Sequence, residues 1–156
     1  MSTALPISTI VVAMDLHDDL GDAVLITGTA LSERLGAKLH VVDIWPQLEA
    51  GGFPYSKMGE AAELDQYEAK RSERKAEFEA RVLPIAPDAI RSALIGDTAD
   101  TIAEYLSSEN ADLLVIGSHQ KGFWERLWQG SVSDDTIHEA PCAVFVVTAP
   151  FAKGVH

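Results

Sequence analysis

The run Leu113-Leu114-Val115-Ile116-Gly117-Ser118-His119-Gln120-Lys121 decides how this chain is read. Four aliphatic residues with no polar alternation describe a strand covered on both faces, and the glycine that follows ends it. Beyond a long turn, Gly130-Ser131 opens a helix that Pro141 stops, and Ala143-Val144-Phe145-Val146-Val147 makes a last apolar strand. A strand leaving through glycine towards a helix start is a phosphate-holding arrangement. Glycine lets backbone N–H groups approach an anion, and the first helical turn has unpaired N–H groups and a partial positive charge.

Upstream, short apolar strands alternate with helical patterns, which predicts βαβ units and a parallel sheet. Residues 7–14 form the first strand. Residues 22–35 carry Val24, Gly28, Leu31 and Leu35 at helical spacing, with Gly36 as the stop, and residues 39–44 form the second strand. Residues 45–59 hold Pro46, Gly51, Gly52, Pro54 and Gly59 without either periodicity, the composition of a functional lid or an unordered segment. Residues 60–82 predict a charged, mainly solvated helix with sparse apolar positions at Leu64, Tyr67, Phe78 and Val82. Residues 89–95 form the third strand, and Gly96-Asp97 leads into a helix with Ala99, Ile102, Ala103 and Leu106 on one face. Asp97 and Asp100 have capping-box spacing there. The expected fold class is α/β: one domain over residues 1–156, an open five-stranded parallel sheet with helices on both faces.

Composition narrows the function. With 156 residues the chain buries a sizeable core unaided, and Cys142 as the single cysteine excludes an intramolecular disulfide. The start Met1-Ser2-Thr3-Ala4-Leu5-Pro6 lacks signal-peptide character and no apolar run is long enough to span a membrane, so a soluble cytoplasmic protein is expected. A net charge of -12 argues against nucleic acid and anionic membranes as partners, while a small nucleotide needs only a few N–H groups and a cation.

In open α/β sheets, ligands bind beyond the carboxyl ends of the strands, where the strand order reverses. With strand one beside strand four, Asp15 and Gly117 flank that crevice, and strand two is expected to deliver Val41 and Asp43 to the same edge.

Four stretches together resemble the universal stress protein family over nearly the whole chain. They are Ile10-Val11-Val12-Ala13-Met14-Asp15, Leu39-His40-Val41-Val42-Asp43, Ile95-Gly96-Asp97-Thr98, and the closing run from Ile116-Gly117 through Gly130-Ser131-Val132-Ser133 to Val147. The resemblance implies the strand order 3-2-1-4-5, a homodimer paired along strand five (residues 143–147), and an ATP site as in many members. The ATP-binding members share Gly, two residues, Gly, nine residues, then Gly-Ser or Gly-Thr. Gly117 and Gly130-Ser131 match this spacing, and Gln120 stands at the middle glycine. On the nucleoside side the resemblance implies Asp15, Ala13 where a proline is common, Val41 towards adenine, and Ile116 before the first glycine. On the phosphate side it implies Lys121, Val132 and Ser133. The implied cofactor is ATP, or AMP or ADP, with Mg²⁺ to offset Asp134 and Asp135 at the helix start. A regulatory protein partner is implied as well.

Gln120 is the departure from that pattern. If the family glycine is left-handed, a residue with a Cβ costs roughly 1–2 kcal/mol there, about tenfold in affinity. Its side chain is also long enough to reach the place expected for a phosphate. His119-Gln120 with Phe123-Trp124 resembles the branch of the family that does not bind ATP, a branch that lacks the Gly-Ser pair kept here.

Each residue also has a plain structural reading. Asp15 caps the following turn, Gly117 ends a strand, and Ser131 with Asp134 is a capping box. His119 is a loop residue, His40 a satisfied strand residue, Cys142 a near-core residue, and Trp124 and Trp128 pack on one helix face. Independently, the fully apolar fifth strand carries no charge to guard an exposed edge and asks for a second copy to cover it. Three classes remain: a nucleotide-binding regulatory dimer, a dimer that acts only through its surface, and an enzyme. The enzyme reading is the weakest, since no SGGxD or HxGH motif follows the first strand and no GxSxG elbow appears.

Overall fold

The computed structural model describes residues 4–45, 60–96, 98–120 and 141–156. In chain order they form β1 (Thr9–Ala13), α1 (Gly21–Leu35), β2 (Lys38–Trp45), α2 (Glu60–Val82), β3 (Ile90–Ile95), α3 (Thr98–Ser108), β4 (Leu113–Gly117), a 3-10 turn (Ser118–Gln120), β5 (Ala143–Val147) and a terminal turn, α4 (Ala149–Ala152). The five strands make one sheet in the order β3-β2-β1-β4-β5, parallel throughout, as expected. In the central ladders Val12 stands beside Val41 on one side and Val115 on the other.

Alternation along the strands divides the core into two layers. Ile10, Val12, Val41, Leu113 and Val115 point to the side of α1 and α2, where they meet Val24, Leu25, Phe78 and Val82. Val11, Ala13, Val42, Leu114 and Ile116 point the other way, onto Ile102 and Leu106 of α3. Helices therefore cover both faces. Gly28 lets α1 lie close to β1, because a Cβ there would overlap Val12 Cγ2. Gly36 ends α1 with φ 64°, the left-handed conformation expected of its stop.

The second helix matches its expected bounds and character. Leu64 is exposed, and among the described side chains of this helix Phe78 and Val82, near the C-terminal end, are the fully buried ones. A charged helix anchored by two apolar residues needs polar fastenings as well, and three arginines supply them. Arg74 pairs with Asp43, Arg81 with Asp22, and Glu79 with Arg91 of β3.

Differences from the sequence reading are local. Strand β2 runs on through Trp45, whose residue pairs with Ile95 in the β3 ladder, so Trp45 belongs to the sheet and not to the Gly/Pro-rich loop. The terminal turn was not foreseen. Pro150 suits its first turn, where no N–H is needed, and Phe151 folds back edge-to-face on Phe145 with centroids 5.7 Å apart. The remainder of the 45–59 loop, the Asp97 cap, the Phe123, Trp124 and Trp128 group and the helix from Gly130 to Pro141 lie outside the described residues.

Candidate functional site

Strands β1 and β4 are neighbours in the middle of the sheet, with β2 and β3 on one side and β5 on the other. The strand order reverses between them, so the loops after their carboxyl ends bound a crevice.

The β1–α1 loop is built from two successive aspartate turns. Asp15 Oδ1 accepts the His17 N–H at 3.0 Å, and Asp18 Oδ1 accepts the Leu20 N–H at 3.0 Å, which bring the chain into α1. Arg81 of α2 holds the loop from outside, donating to the Leu16 carbonyl and, at 2.8 Å, to Asp22 Oδ1. Asp15 thus does cap the turn, but with one oxygen. Its half-buried carboxylate keeps Oδ2 without a hydrogen bond among the described residues.

Across the crevice Gly117 is buried against the start of α1. An added Cβ would lie 3.3 Å from Val24 Cγ2 and 3.6 Å from Asp18 Oδ2, so the glycine serves close approach of helix and strand whether or not a ligand is present. His119 Nδ1 lies 2.7 Å from Asp18 Oδ1 and ties the two loops together. Among the described residues Asn110 is the one non-glycine with positive φ, so Gln120 in its 3-10 turn is right-handed and the backbone cost expected of it does not arise. What remains is its side chain. Gln120 Oε1 is buried with no hydrogen-bond partner among the described residues.

The other expected site residues divide by place. Val41 is fully buried in the layer beneath α1 and α2, so its side chain presents no surface to a ligand in this arrangement. Ala13 and Ile116 are buried in the opposite layer, under α3. Lys121, Gly130, Ser131, Val132 and Ser133 lie outside the described residues.

Asp43 requires a correction. Expected at the crevice, it is buried and engaged bidentately by Arg74, with Nε and one terminal nitrogen each 2.7 Å from its oxygens. The guanidinium also stacks over Trp45, 5.2 Å from the ring centroid. The hydrogen bond to Asp43 raises the Arg74 pKa; burial opposes this, and the negative charges of Asp43 and Asp15 add to the rise. Sequence reading missed Arg74. A carboxylate inside an apolar strand always needs a partner, and Lys70, Arg71, Arg74 and Lys75 offered the candidates.

The remaining polar residues behave as their plain readings expected. His40 Nδ1 is 2.8 Å from the Tyr105 hydroxyl, which also lies 3.2 Å from Ser92 Oγ, and burial lowers the histidine's pKa. Burial pushes the Cys142 thiol up to about 11, so it is no nucleophile at neutral pH. Among the described residues no three His, Cys, Asp or Glu side chains gather as a metal site, and no helix is long and apolar enough to cross a membrane.

Comparison with known proteins places this geometry. The profile of the universal stress protein family matches residues 6–148. The Thermus aquaticus universal stress protein in the QAH/OAS sulfhydrylase 3′ region is 31% identical over 140 residues, 89% of this chain and 97% of its own. Among solved structures, universal stress protein UspA from Lactobacillus plantarum superposes with a TM-score of 0.61 at 18% identity, covering 90% of this chain and 97% of its own. The universal stress protein from Archaeoglobus fulgidus in complex with dAMP gives a TM-score of 0.56 at 17% identity, covering 91% of this chain and 98% of its own.

Proposed function

The chain belongs to the universal stress protein family, and on that premise we propose that it is a regulatory protein that binds an adenine nucleotide at the crevice between β1 and β4. The observation that carries this reading is the half-used carboxylate of Asp15. Its Oδ1 is fixed by the His17 N–H, which orients the group, while Oδ2, beyond the carboxyl end of β1, accepts no hydrogen bond among the described residues. A carboxylate held in this way accepts hydrogen bonds from sugar hydroxyls. The Archaeoglobus fulgidus relative, solved in complex with dAMP, supports an adenine mononucleotide as the minimal ligand. We extend the reading to AMP, ADP or ATP, with Mg²⁺ accompanying the longer phosphates. When bound, the metal would supply charge neutralisation among Asp15, Asp18 and the phosphates. The role is to bind and report, not to catalyse.

The working unit of this reading is a homodimer joined along β5. Ala143–Val147 lies at the end of the sheet, and its outer edge pairs with no strand among the described residues. An apolar edge of this kind is best covered by its own copy. A solution mass of twice 16.8 kDa is expected, and a monomeric mass would remove the dimer from the reading.

A second reading is favoured by Gln120. It stands at the middle glycine of the family pattern, and its Oε1 is buried with no hydrogen-bond partner among the described residues, which suits a dimer that no longer binds nucleotide and acts through its surface. Denaturing the purified protein and separating what is released by chromatography decides between the two. Released adenine nucleotide, or a thermal shift on adding Mg-ATP or AMP, is expected. Neither signal would leave the surface-acting dimer.

A further inference from the structure

Asp15 and Asp18 belong to one short loop, and most of its hydrogen bonds are local. The Asp18 N–H donates to the Asp15 carbonyl at 3.3 Å, the Gly21 N–H donates to the Asp18 carbonyl at 3.0 Å, and each aspartate accepts an N–H from two residues ahead through its own Oδ1. These bonds shape the turn but tie it to no other part of the fold. Two side chains reach it from elsewhere. Arg81 of α2 donates to the Leu16 carbonyl and to Asp22 on the outer side. From across the crevice, His119 comes to Asp18 Oδ1 with its Nδ1 at 2.7 Å. An ionised carboxylate only accepts, so the imidazole supplies the hydrogen from Nδ1.

The two partners are unequally placed. The Asp18 side chain is 10% exposed and that of His119 52%. Burying a carboxylate to that degree is costly without donors, and here one comes from its own loop, the Leu20 N–H, and one from the loop after β4. Asp18 also lies against the end of β4, where its Oδ2 would be 3.6 Å from a Cβ at Gly117. Its carboxylate is therefore the point at which the loops after β1 and β4 meet. If the half-exposed ring were removed, water could take its place at Asp18, which would satisfy the charge without joining the loops. The pair accordingly contributes little to stability, and its consequence is geometric.

We propose that His119 is a positioning residue for the nucleotide, a role that rests on the crevice binding one: through Asp18 it holds the β1–α1 loop to the β4 loop and so sets the Asp15 carboxylate relative to the loop that follows Gly117. The orientation of Asp15 depends on the His17 N–H of its own loop, so a loop free to shift carries the carboxylate with it. Hydrogen bonds weaken steeply away from their preferred distance and angle, and a ligand that must meet both loops at once is sensitive to their separation.

His119→Ala is expected to weaken AMP binding, measured by calorimetry, about five- to tenfold, while the melting temperature falls by about 2 °C or less. His119→Asn, which offers Asp18 an amide N–H near the place of Nδ1, is expected to recover most of the lost affinity. The double variant separates positioning from an independent effect. Acting through Asp15, His119→Ala costs little further affinity in the Asp15→Asn protein, whereas an independent effect would add its full loss. One readout needs no ligand: hydrogen exchange at the His17 amide, bonded to Asp15, is expected to quicken severalfold in His119→Ala while the amides of β1 and β4 keep their protection. A wild-type protein that binds no AMP removes the nucleotide reading and this role with it. AMP binding that His119→Ala leaves unchanged, a loss that adds in full to that of Asp15→Asn, or unaltered exchange at His17 overturns the positioning role alone.

Discussion

Asp112, just before β4, and Asp15, just after β1, stand at opposite ends of the same sheet and are held in opposite ways. Asp112 Oδ2 accepts the Ser8 N–H at 2.9 Å, the Ser8 hydroxyl at 3.0 Å and the Thr9 N–H at 3.0 Å. It straps the start of β1 to β4. Asp15 accepts one short-range N–H through one oxygen. Asp43, between them in character, is buried and fully matched by Arg74. Three aspartates, two at strand ends and one inside β2, thus have three fates, decided by how many donors the fold brings to each. A saturated carboxylate is structural, whereas a half-satisfied one at a crevice retains capacity for a ligand.

The contrast can be broken experimentally. The largest effect on stability is expected from Asp43→Ala, which leaves the mostly buried Arg74 without its partner; a loss of about 2–3 kcal/mol should appear in urea unfolding, with nucleotide retention in the remaining folded protein. Asp15→Asn should reverse that pattern. Stability is expected to change by less than about 0.5 kcal/mol, while nucleotide affinity measured by calorimetry falls roughly 10- to 100-fold, as for the loss of a charge-assisted hydrogen bond. Equal losses of stability in these two variants would dissolve the distinction drawn between them.

Gln120 provides a finer test. Because its backbone is right-handed, Gln120→Ala and Gln120→Gly should raise nucleotide affinity alike, by several-fold up to about tenfold, since both remove the inward amide. A gain confined to the glycine variant would mean that backbone freedom, not the side chain, limits the site.

The smallest effect belongs to Asp112. The Ser8 N–H, the Thr9 N–H and the Ser8 hydroxyl hold its pKa below the ordinary 3.8. A depressed carboxylate stabilises the fold above its unfolded pKa and loses that contribution as pH falls through the lower folded value. Asp112→Asn should therefore lower the melting temperature slightly at neutral pH and flatten the acid limb below about pH 4, while nucleotide affinity stays unchanged.

The crevice was legible before the fold. Asp15 and Gly117 end their strands for local reasons, and the crevice between them followed once β1 and β4 were neighbours. The state of Gln120 was not legible. Its departure from the glycine pattern was visible, but the handedness of its backbone and the burial of its amide depend on how the 3-10 turn meets the rest of the fold. The Arg74–Asp43–Trp45 cluster was likewise hidden, because its members are 31 and 29 residues apart in the chain and meet only when α2 lies across β2.

By itself the sequence determined the strands and helices, their parallel arrangement and the family, because apolar period, glycine stops and motif spacing act over a few residues at a time. Only the tertiary structure decided which carboxylates are satisfied and which is open. Hydrogen bonding and burial are properties of groups far apart in the chain, and a donor's arrival at an aspartate depends on packing that no local pattern encodes.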